Sequence, residues 1–389
     1  MKNLVFKCIY FLLNKYKMII KNFSLKKLKN KHMIVNYSKL EIDKKLSIFK
    51  NKVAVDYLID NQEQEKDLSI IIPVYNCENY IENCLQSIIN QKLNMDYEII
   101  CINDGSTDSS LSVMNKIAIN NKNIKIISQK NRGLSGARNT GLNNSKGKYI
   151  LFVDSDDFIC DNSINYYYDR IVKEEADIII GRICKYISKY DTLFSLPYTN
   201  KINNFVDLCN NTTGTAWGKI YKKDLWKDIR FFEGYMYEDS IIFLNIFIKS
   251  KKIISDSLPM YAFRSSNNSL FKRSKKNYAT IDMVWQLDVM NEKKYFNDVD
   301  IFQFQVILWN LSVMVYERIS CLNDDEILKL CFIKSKNILE SIMKQNKNLN
   351  MIFYGKNKKN YLKLMMAYSS SDYYMWKYYC GIINCSNTI

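Results

Sequence analysis

Apolar segments with the character of buried strands alternate with helical patterns over residues 68–153, and two of these segments end in acidic residues. Residues 97–102 are followed by Asn-Asp-Gly-Ser-Thr-Asp at 103–108, and residues 149–153 are followed by Asp-Ser-Asp-Asp at 154–157. Such alternation predicts a doubly wound, mostly parallel sheet with helices on both faces. Ligands bind to this kind of sheet outside the carboxyl ends of its strands, so we expect both acidic groups to face one ligand.

Four strands and three helices are predicted in β-α order. The strands are expected at residues 68–76, 98–103, 124–128 and 149–153, and the helices at 80–90, from Asp108 or Ser109 to 118, and through Arg138 up to a close at Gly147. Pro73 has no amide proton, so the first strand should end near it. After about residue 273, long periodic apolar stretches without strand signals predict helices. The chain is therefore divided into an N-terminal arm (1–66), an α/β domain (67–272) and a helical C-terminal region (273–389).

The net charge of +16 is concentrated in the N-terminal arm, because residues 1–52 hold 14 Lys, no Arg and only two acidic residues. The rest of the chain is near neutral, and the arm lacks the Arg side chains that most often read bases, so no nucleic acid is expected as a partner. A basic helix with an apolar face is suited to an anionic membrane surface. The alternative is an ordinary helix packed on the protein with its Lys residues in solvent.

Several sequence features indicate where the protein is located. They favour the cytoplasm, with the protein either free there or bound to the inner face of the cytoplasmic membrane. The longest apolar run near the N-terminus, residues 8–13, is far shorter than the roughly 20 residues of a spanning helix. No cleavage site for a signal peptide follows it. The 11 Cys never occur at C-x-x-C spacing and His32 is the single His, so we expect reduced thiols and no zinc cluster.

Six motifs of this chain, in their order and spacing, resemble those of family 2 glycosyltransferases with the GT-A fold. They are Pro73-Val74-Tyr75-Asn76, Asn103-Asp104-Gly105-Ser106-Thr107-Asp108, Gly133-x-x-Gly136-Ala137-Arg138-Asn139, Asp154-Ser155-Asp156-Asp157, Trp217-Gly218-Lys219-Ile220-Tyr221 and Glu238-Asp239. Each motif alone is weakly specific, whereas the ordered set is specific. The resemblance covers residues 68–269 and implies an enzyme that uses a nucleotide sugar.

The first motifs are expected to bind the nucleotide. At a strand exit, the carboxylate of Asp104 can accept the N3–H of uracil, and the resemblance implies a nucleobase or ribose role for it. Pro73, Val74 and Tyr75 would form the neighbouring wall of the base pocket. The alternative for residues 103–108 is a turn with a helix cap, which these residue types also favour.

The second acidic motif is expected to hold a divalent cation. Alternate residues of an extended segment point the same way, so Asp154 and Asp156 can converge on one ligand. Carboxylate oxygens suit Mn²⁺ or Mg²⁺, which would neutralise the diphosphate. The resemblance implies Asp156 as the metal ligand and Asp154 near the ribose; a solvated acidic turn is the alternative. Many relatives have a His as a further ligand, and no His is present here after His32.

The remaining motifs are assigned by the resemblance. Arg138, expected in the first turn of a helix, would lie near the nucleotide, or pair with one of the Asp residues. Asp239 would be the base that deprotonates the acceptor hydroxyl, with Glu238 beside it, and the anomeric configuration would invert. The alternative for this pair is a helix N-terminus, which favours acidic residues. Trp217 would border the acceptor or fill the core, and Arg264 would approach the diphosphate.

These expectations converge on a metal-dependent enzyme that transfers a sugar from UDP to a glycan or lipid-linked glycan in surface-polysaccharide synthesis, such as capsule or lipopolysaccharide. The Gln-x-x-Arg-Trp segment typical of processive synthases is absent after Asp239, so one sugar is expected per encounter. Two alternatives belong to other classes. One is a catalytically inactive protein that binds membranes or nucleic acid through its arm. The other is a nucleotidyltransferase, against which the lack of Gly and Lys between Val74 and Lys92 argues.

Overall fold

The computed structural model describes residues 31–35, 37–48, 60, 63–187, 192–195, 214–264, 278–349, 352–353 and 358–387. The chain divides into two compact units, one of residues Lys52–Ser269 and one of residues Met1–Asn51 with Leu270–Ile389. The expected membrane-surface helix falls within residues 1–30, which lie outside the described part of the chain. Among the described residues, no helix combines the length and the apolar character needed to cross a membrane.

The first unit begins with the predicted alternation of strands and helices. Its elements are β1 (Lys66–Val74), α2 (Ile81–Ile89), β2 (Tyr97–Asn103), α3 (Ser110–Ile119), β3 (Ile124–Ser128), α4 (Gly133–Asn144) and β4 (Gly147–Phe152), and α1 (Lys39–Ser47) precedes them in the other unit. Strand β1 pairs in parallel with β2 and β4, and β2 pairs in parallel with β3. The expected parallel sheet is therefore confirmed, and β1 ends one residue after Pro73.

The sheet continues with strands that the sequence analysis did not place. They are β5 (Phe158–Ile159), β6 (Ile178–Ile187), β7 (Thr192–Ser195), β8 (Lys219–Lys222) and β9 (Ile253–Arg264), and α5 (Ser163–Lys173) follows β5. The sheet order is β3-β2-β1-β4-β8-β6-β9-β5, with β7 paired to β6. Strand β8 is antiparallel to both of its neighbours, β4 and β6. The complete sheet is therefore mixed: β3, β2, β1 and β4 are parallel to one another, and β6 and β9 form a further parallel pair.

The central strands are continuous apolar runs in the sequence because their side chains are buried on both faces of the sheet. Residues 68–74 of β1 are all buried, as expected for a strand covered on both faces. Helix α4 comes close to β1, because a Cβ at Gly141 would lie 2.3 Å from Cγ2 of Ile71. The expected helix end at Gly147 is wrong: α4 ends at Asn144 and Gly147 begins β4. A Cβ at Gly147 would lie 2.3 Å from the backbone nitrogen of Ser69, so strand pairing, rather than a helix end, requires glycine here.

The segment before β9 and the second unit are helical. A π-helix (Ile242–Ile246) and α6 (Phe247–Lys249) precede β9, and the second unit contains α7 (Asp282–Glu292), α8 (Ile301–Trp309), α9 (Val315–Ile319), α10 (Asp325–Gln345), α11 (Lys358–Ser369) and α12 (Tyr373–Asn387), with a π-helix at Asn310–Met314. The predicted helical C-terminal region is confirmed. Tyr373 and Trp376 are buried, and the Trp376 ring lies 5.1 Å from that of Phe332, so the aromatic cluster near the C-terminus packs inside this unit.

Candidate functional site

The loops that carry the acidic motifs meet at one edge of the sheet. Val74 pairs with Asn103 at the ends of β1 and β2, and Phe152 at the end of β4 pairs with Ile71 of β1. The first two loops are also joined directly, since the backbone nitrogen of Thr107 donates to Oδ1 of Asn76 at 2.8 Å. The carboxyl ends of three parallel strands thus form the position at which ligands of such sheets bind.

Asp104 lies directly after the end of β2, and its side chain is fixed by hydrogen bonds from neighbouring residues of the α/β domain. It is 2% exposed, and its Oδ1 accepts from Nε2 of Gln129 at 2.7 Å and from the backbone nitrogen of Arg132 at 2.8 Å. Oε1 of Gln129 in turn accepts from Oγ1 of Thr140 at 2.6 Å. The sequence analysis missed Gln129, although its place directly after β3 is the same strand-exit signal that singled out Asp104.

The expected wall of the base pocket is only partly on the surface. Pro73 and Val74 are buried within β1. Tyr75, the next residue, is 51% exposed. Of these three residues, Tyr75 is therefore the one whose side chain a ligand at the sheet edge can reach, while the other two shape the strand beneath it.

The buried guanidinium of Arg138 forms hydrogen bonds with three of the expected site residues. Nη2 of Arg138 donates to Oδ1 of Asp154 at 2.9 Å, and its Nη1 donates to Oε1 of Glu238 at 3.0 Å and to Oδ1 of Asp239 at 3.1 Å. The guanidinium also lies over the Phe231 ring, 5.3 Å from its centroid. Burial would lower the pKa of Arg138, but the three carboxylates outweigh burial and raise it. The cation therefore stays charged.

Arg138 does not lie in the first turn of its helix, as the sequence analysis expected. Helix α4 begins at Gly133, five residues earlier, because residues 130–132 form the loop that bonds to Asp104. The helix is further fixed by Asn139, whose Nδ2 donates to the carbonyl of Phe231 at 2.9 Å while its Oδ1 accepts from the Phe231 nitrogen at 2.8 Å. These two hydrogen bonds, called here the Asn139 strap, attach the helix that carries Arg138 to the segment that leads to Glu238 and Asp239.

The carboxyl group of Asp239 has an environment suited to a general base. Its side chain is 28% exposed. Burial, together with the charges of Glu238 and Asp154, raises the pKa of Asp239 to about 7 against the opposing charges of Arg138 and Lys219. Lys219 is fully buried, and its Nζ donates to the carbonyl of Thr215 at 2.8 Å. Burial lowers the pKa of Lys219 to about 7.

The backbone around Glu238 and Asp239 is unusual. Tyr237, directly before the pair, has a φ of +65°, a conformation that bulky side chains rarely adopt. The helix that follows is expected from Ser240 to Ile248, and the structure makes it helical from residue 240 but with a π-helix at Ile242–Ile246. Strained φ values and single π-turns both recur at functional sites. The local geometry therefore agrees with a functional role for the pair.

The acidic loop after β4 contains one buried, hydrogen-bonded carboxylate and one exposed carboxylate. Asp157 is buried, and it accepts from the Tyr261 hydroxyl at 2.7 Å and from the backbone nitrogen of Arg264 at 2.8 Å. Burial, followed by the charges of Asp154 and Asp156, raises the pKa of Asp157 to about 8. Asp156 is exposed at the same loop, where partial loss of water and then the charge of Asp154 raise its pKa. Asp157 thus fastens the loop to β9, and Asp156 is presented to solvent.

The donor set fits a hard divalent cation only when a ligand completes it. Within the described residues, no three His, Cys, Asp or Glu side chains are grouped as a metal site. Mg²⁺ and similar ions are commonly held by one or two carboxylates together with phosphate oxygens of a substrate. The exposed carboxylate of Asp156 suits this mode, and the shared rise in the pKa of Asp156 and Asp157 marks a site where added positive charge is favourable.

Trp217 and Arg264 lie beside this loop in aromatic surroundings. The Trp217 ring is stacked on Tyr261 at 4.5 Å between centroids with an interplanar angle of 12°. Nη2 of Arg264 donates to Oδ1 of Asn83 at 2.6 Å, and its guanidinium lies 4.9 to 5.5 Å from the centroids of three rings. Those rings belong to Tyr80, Phe158 and Tyr186. Trp217 is half-buried in this stack, so only part of its ring can face a ligand.

Comparison with known proteins places the chain in a defined context. Residues 69–230 match the family model described as Glycosyl transferase family 2. Glycosyltransferase GlyA of Streptococcus pneumoniae serotype 4 is 37% identical over 217 residues, which are 52% of this chain and 31% of the relative. Poly(ribitol-phosphate) beta-glucosyltransferase of Bacillus spizizenii is 37% identical over 194 residues, 48% of this chain and 30% of the relative. The chain thus spans less than a third of the length of these two relatives.

A solved structure shares the fold at low sequence identity. The crystal structure of S. aureus TarS 1–349 in complex with UDP-GlcNAc superposes with a TM-score of 0.57 at 19% identity. The match covers 80% of this chain and 89% of that one. The mixed sheet with its helices is therefore an arrangement already known in a solved structure.

Proposed function

We propose, on the premise of the glycosyl transferase family 2 model that residues 69–230 match, that this chain transfers a sugar from a nucleotide donor to a hydroxyl of a glycan or lipid-linked glycan. The observation that carries the proposal is the convergence of Asp154 and Asp239 on Arg138. It joins the carboxylate loop expected to hold the donor to the carboxyl group expected to act on the acceptor. A donor and an acceptor bound at this edge of the sheet would meet between them.

UDP is the donor nucleotide that we propose. Asp104 lies at the strand exit where its carboxylate can accept the N3–H of uracil, and Gln129 and Arg132 fix its Oδ1. Tyr75 is exposed beside it and offers a ring face to the base. TarS 1–349, which shares the fold, was solved with UDP-GlcNAc. These three points favour UDP over other nucleotides and leave the sugar to be determined.

The reaction that we propose is a single displacement. The acceptor oxygen forms a bond to the anomeric carbon while the bond from that carbon to the diphosphate oxygen breaks, and its electron pair leaves with UDP. The proton of the acceptor hydroxyl passes to the carboxylate of Asp239, which must be ionised to receive it. Attack from the face opposite to the leaving group inverts the configuration at that carbon. Glu238, on the same Nη1 of Arg138, helps to fix the direction of the base.

A divalent cation, Mn²⁺ or Mg²⁺, is proposed as the cofactor, with Asp156 as its protein ligand. When bound, such an ion neutralises charge on the diphosphate and on the departing nucleotide. We propose that Asp154 faces the ribose, with its carboxylate oriented by the hydrogen bond from Arg138. Asp157 has a supporting part, because its two hydrogen bonds hold the loop to Tyr261 and Arg264.

The acceptor is proposed to belong to a bacterial surface polysaccharide, such as a capsule or lipopolysaccharide intermediate. The relative from Bacillus spizizenii is named for an acceptor of this class, poly(ribitol-phosphate). We propose that one sugar is added per encounter, since the segment typical of processive synthases does not follow Asp239. The Lys-rich arm would bring the enzyme to the inner face of the cytoplasmic membrane, where lipid-linked acceptors are found.

Calorimetric titration with UDP tests the donor site. We expect UDP to bind in the presence of Mn²⁺, and Asp156→Ala to lose about tenfold or more of that affinity, because one metal ligand is removed. Asp161→Ala, which removes an exposed acidic side chain just after the loop, should bind like the wild type. Metal-independent binding that the Asp156 variant leaves unchanged would refute the metal role. A chain that binds neither UDP nor any other nucleotide would favour the alternative of an inactive membrane-binding protein.

A further inference from the structure

The guanidinium of Arg138 is buried and surrounded by carboxylates. Its side chain is 1% exposed, and both terminal nitrogens are engaged by carboxylates. Its remaining nitrogen, Nε, is buried without a hydrogen-bond partner among the described residues. A phosphate brought to this guanidinium would be repelled by the three carboxylates that already pair with it. The geometry around Arg138 therefore favours the alternative expected from the sequence, in which Arg138 pairs with an Asp residue.

The three carboxylates come from two segments that are far apart in the chain. Asp154 belongs to the loop after β4, whereas Glu238 and Asp239 follow the strained Tyr237. A planar guanidinium fixes the directions of the groups it bonds to, which an ammonium cannot do. The Asn139 strap to Phe231 holds α4 against the second of these segments. Arg138 is thus the rigid connection between the donor side and the acceptor side of the site.

Resting on the proposed function, we propose that Arg138 is a positioning residue, which holds the base Asp239 at a fixed place relative to Asp154 and makes no contact with the nucleotide. The proposal predicts that Arg138 controls turnover rather than donor affinity. A misplaced base slows proton removal while the nucleotide, held by other residues, binds as before.

The charges around Asp239 lead to a second prediction, which concerns the pH dependence of turnover. The charged groups that face Asp239 are Arg138 and Lys219, which favour its ionised form, and Glu238 and Asp154, which oppose it. Removal of the Arg138 charge should therefore move the acid limb of the pH–rate profile to higher pH, and Glu238→Gln should move it to lower pH. The opposite signs separate an effect on the base from a general loss of structure.

The experiment compares Arg138→Lys, Arg138→Met and Glu238→Gln with the wild type. UDP release is measured with water as the acceptor of the sugar, from UDP-glucose, UDP-galactose, UDP-GlcNAc and UDP-GalNAc. The best of these donors is carried forward over a pH series, and UDP affinity is measured by calorimetry. We expect Arg138→Lys to lower kcat by about a hundredfold and to keep UDP affinity within about threefold. Arg138→Met should raise the apparent pKa of the acid limb by about one unit. Arg170→Lys, which changes an arginine paired with Asp256 elsewhere in the domain, is the matched control and should behave like the wild type.

The outcomes distinguish this proposal from the one on which it rests. A tenfold or larger loss of UDP affinity in Arg138→Lys with unchanged kcat would make Arg138 a nucleotide ligand and overturn the proposal. Lower thermal stability with unchanged kcat and pH profile would also overturn it, since the role would then be structural only. Glu238→Gln keeps the guanidinium, so its pH shift tests the network even if the Arg138 variants fold poorly, and a shift to higher pH would count against the proposal. A wild type that releases no UDP from any donor overturns the proposed function itself.

Discussion

The carboxyl group of Asp239 owes its raised pKa to its neighbours. Around Asp239, burial and two further carboxylates outweigh the opposing charges of Arg138 and Lys219. A carboxyl group with a pKa near the working pH is the most effective general base, because much of it is ionised and its carboxylate still has a high affinity for a proton. The environment, and not the residue type alone, thus makes this position suitable for catalysis.

The pH dependence of turnover follows from this environment. The raised pKa keeps Asp239 protonated, and so inactive as a base, below about pH 7. We therefore expect kcat/KM to rise about tenfold per pH unit on the acid side of that value and to level off above it. Steady-state measurement of UDP release across the pH range tests this, and a profile that is flat through the neutral region would contradict it.

Substitution of the same residue gives an independent control on that profile. Asp239→Asn should lower kcat by about 10²- to 10⁴-fold with UDP affinity retained, since only the base is lost. Asp228→Asn, at an exposed acid of the preceding segment, should leave both quantities unchanged.

At the level of elements, α4 determines how the site is assembled. Asn139 is 1% exposed and satisfies both backbone polar groups of Phe231 with its single amide. In the same region, Arg132 pairs with Glu233, so a second contact ties the start of the helix to the segment after Phe231. Helix, loop and base segment are therefore one packed assembly, in which the helix orients Arg138.

Loss of the Asn139 strap should destabilise the protein. Asn139→Ala leaves a buried N–H and a buried C=O without partners, so we expect the free energy of unfolding to fall by about 2–4 kcal/mol. Asn121→Ala is the control of the same residue type, because the Asn121 side chain donates to the carbonyl of Ile117 at a partly exposed position. It should cost less than about 1 kcal/mol. Urea titration followed by circular dichroism measures both, and equal losses would refute the role of the strap.

Sequence patterns predicted the elements whose signals are local and missed those that depend on distant partners. The strands β1 to β4 are long apolar runs, so their bounds were predicted to within about two residues. Strand β8 has four residues and is defined by pairing with β4 and β6, which the sequence does not reveal. Gly147 was misassigned for the same reason, since the neighbour that requires glycine, Ser69, is remote in sequence.

The candidate site shows the same division. Strand-exit position singled out Asp104 and Asp154, because that signal needs only the residues nearby. The contacts of Arg138 with Glu238 and Asp239 span about a hundred residues, so burial of the guanidinium could not be read from the helix that carries it. The roles proposed for these residues remain predictions until the variants above are measured.

Across the whole molecule, charge is divided unequally between the arm and the rest. Fourteen of the Lys residues lie in residues 1–52, and each Lys near an anionic surface contributes about 1 kcal/mol of attraction at moderate salt. We expect the full-length protein to sediment with vesicles that contain phosphatidylglycerol, and binding to fall about tenfold or more between about 0.05 M and 0.5 M NaCl. Vesicles of phosphatidylcholine alone are the control. Sedimentation that salt leaves unchanged would refute an electrostatic role for the arm.

The place of β8 in the sheet has a consequence for how the protein is made. Strand β4 bonds to β1 on one side and to β8 on the other, although β5, β6 and β7 intervene in the chain. A nascent chain that has not yet exposed residues 219–222 outside the ribosome therefore carries β4 with an open edge. Contacts between distant segments form late, and open edges invite pairing with other chains. Asp154 therefore cannot meet Asp239 until the later part of the sheet has formed, and the candidate site is assembled only after most of the domain has been synthesised.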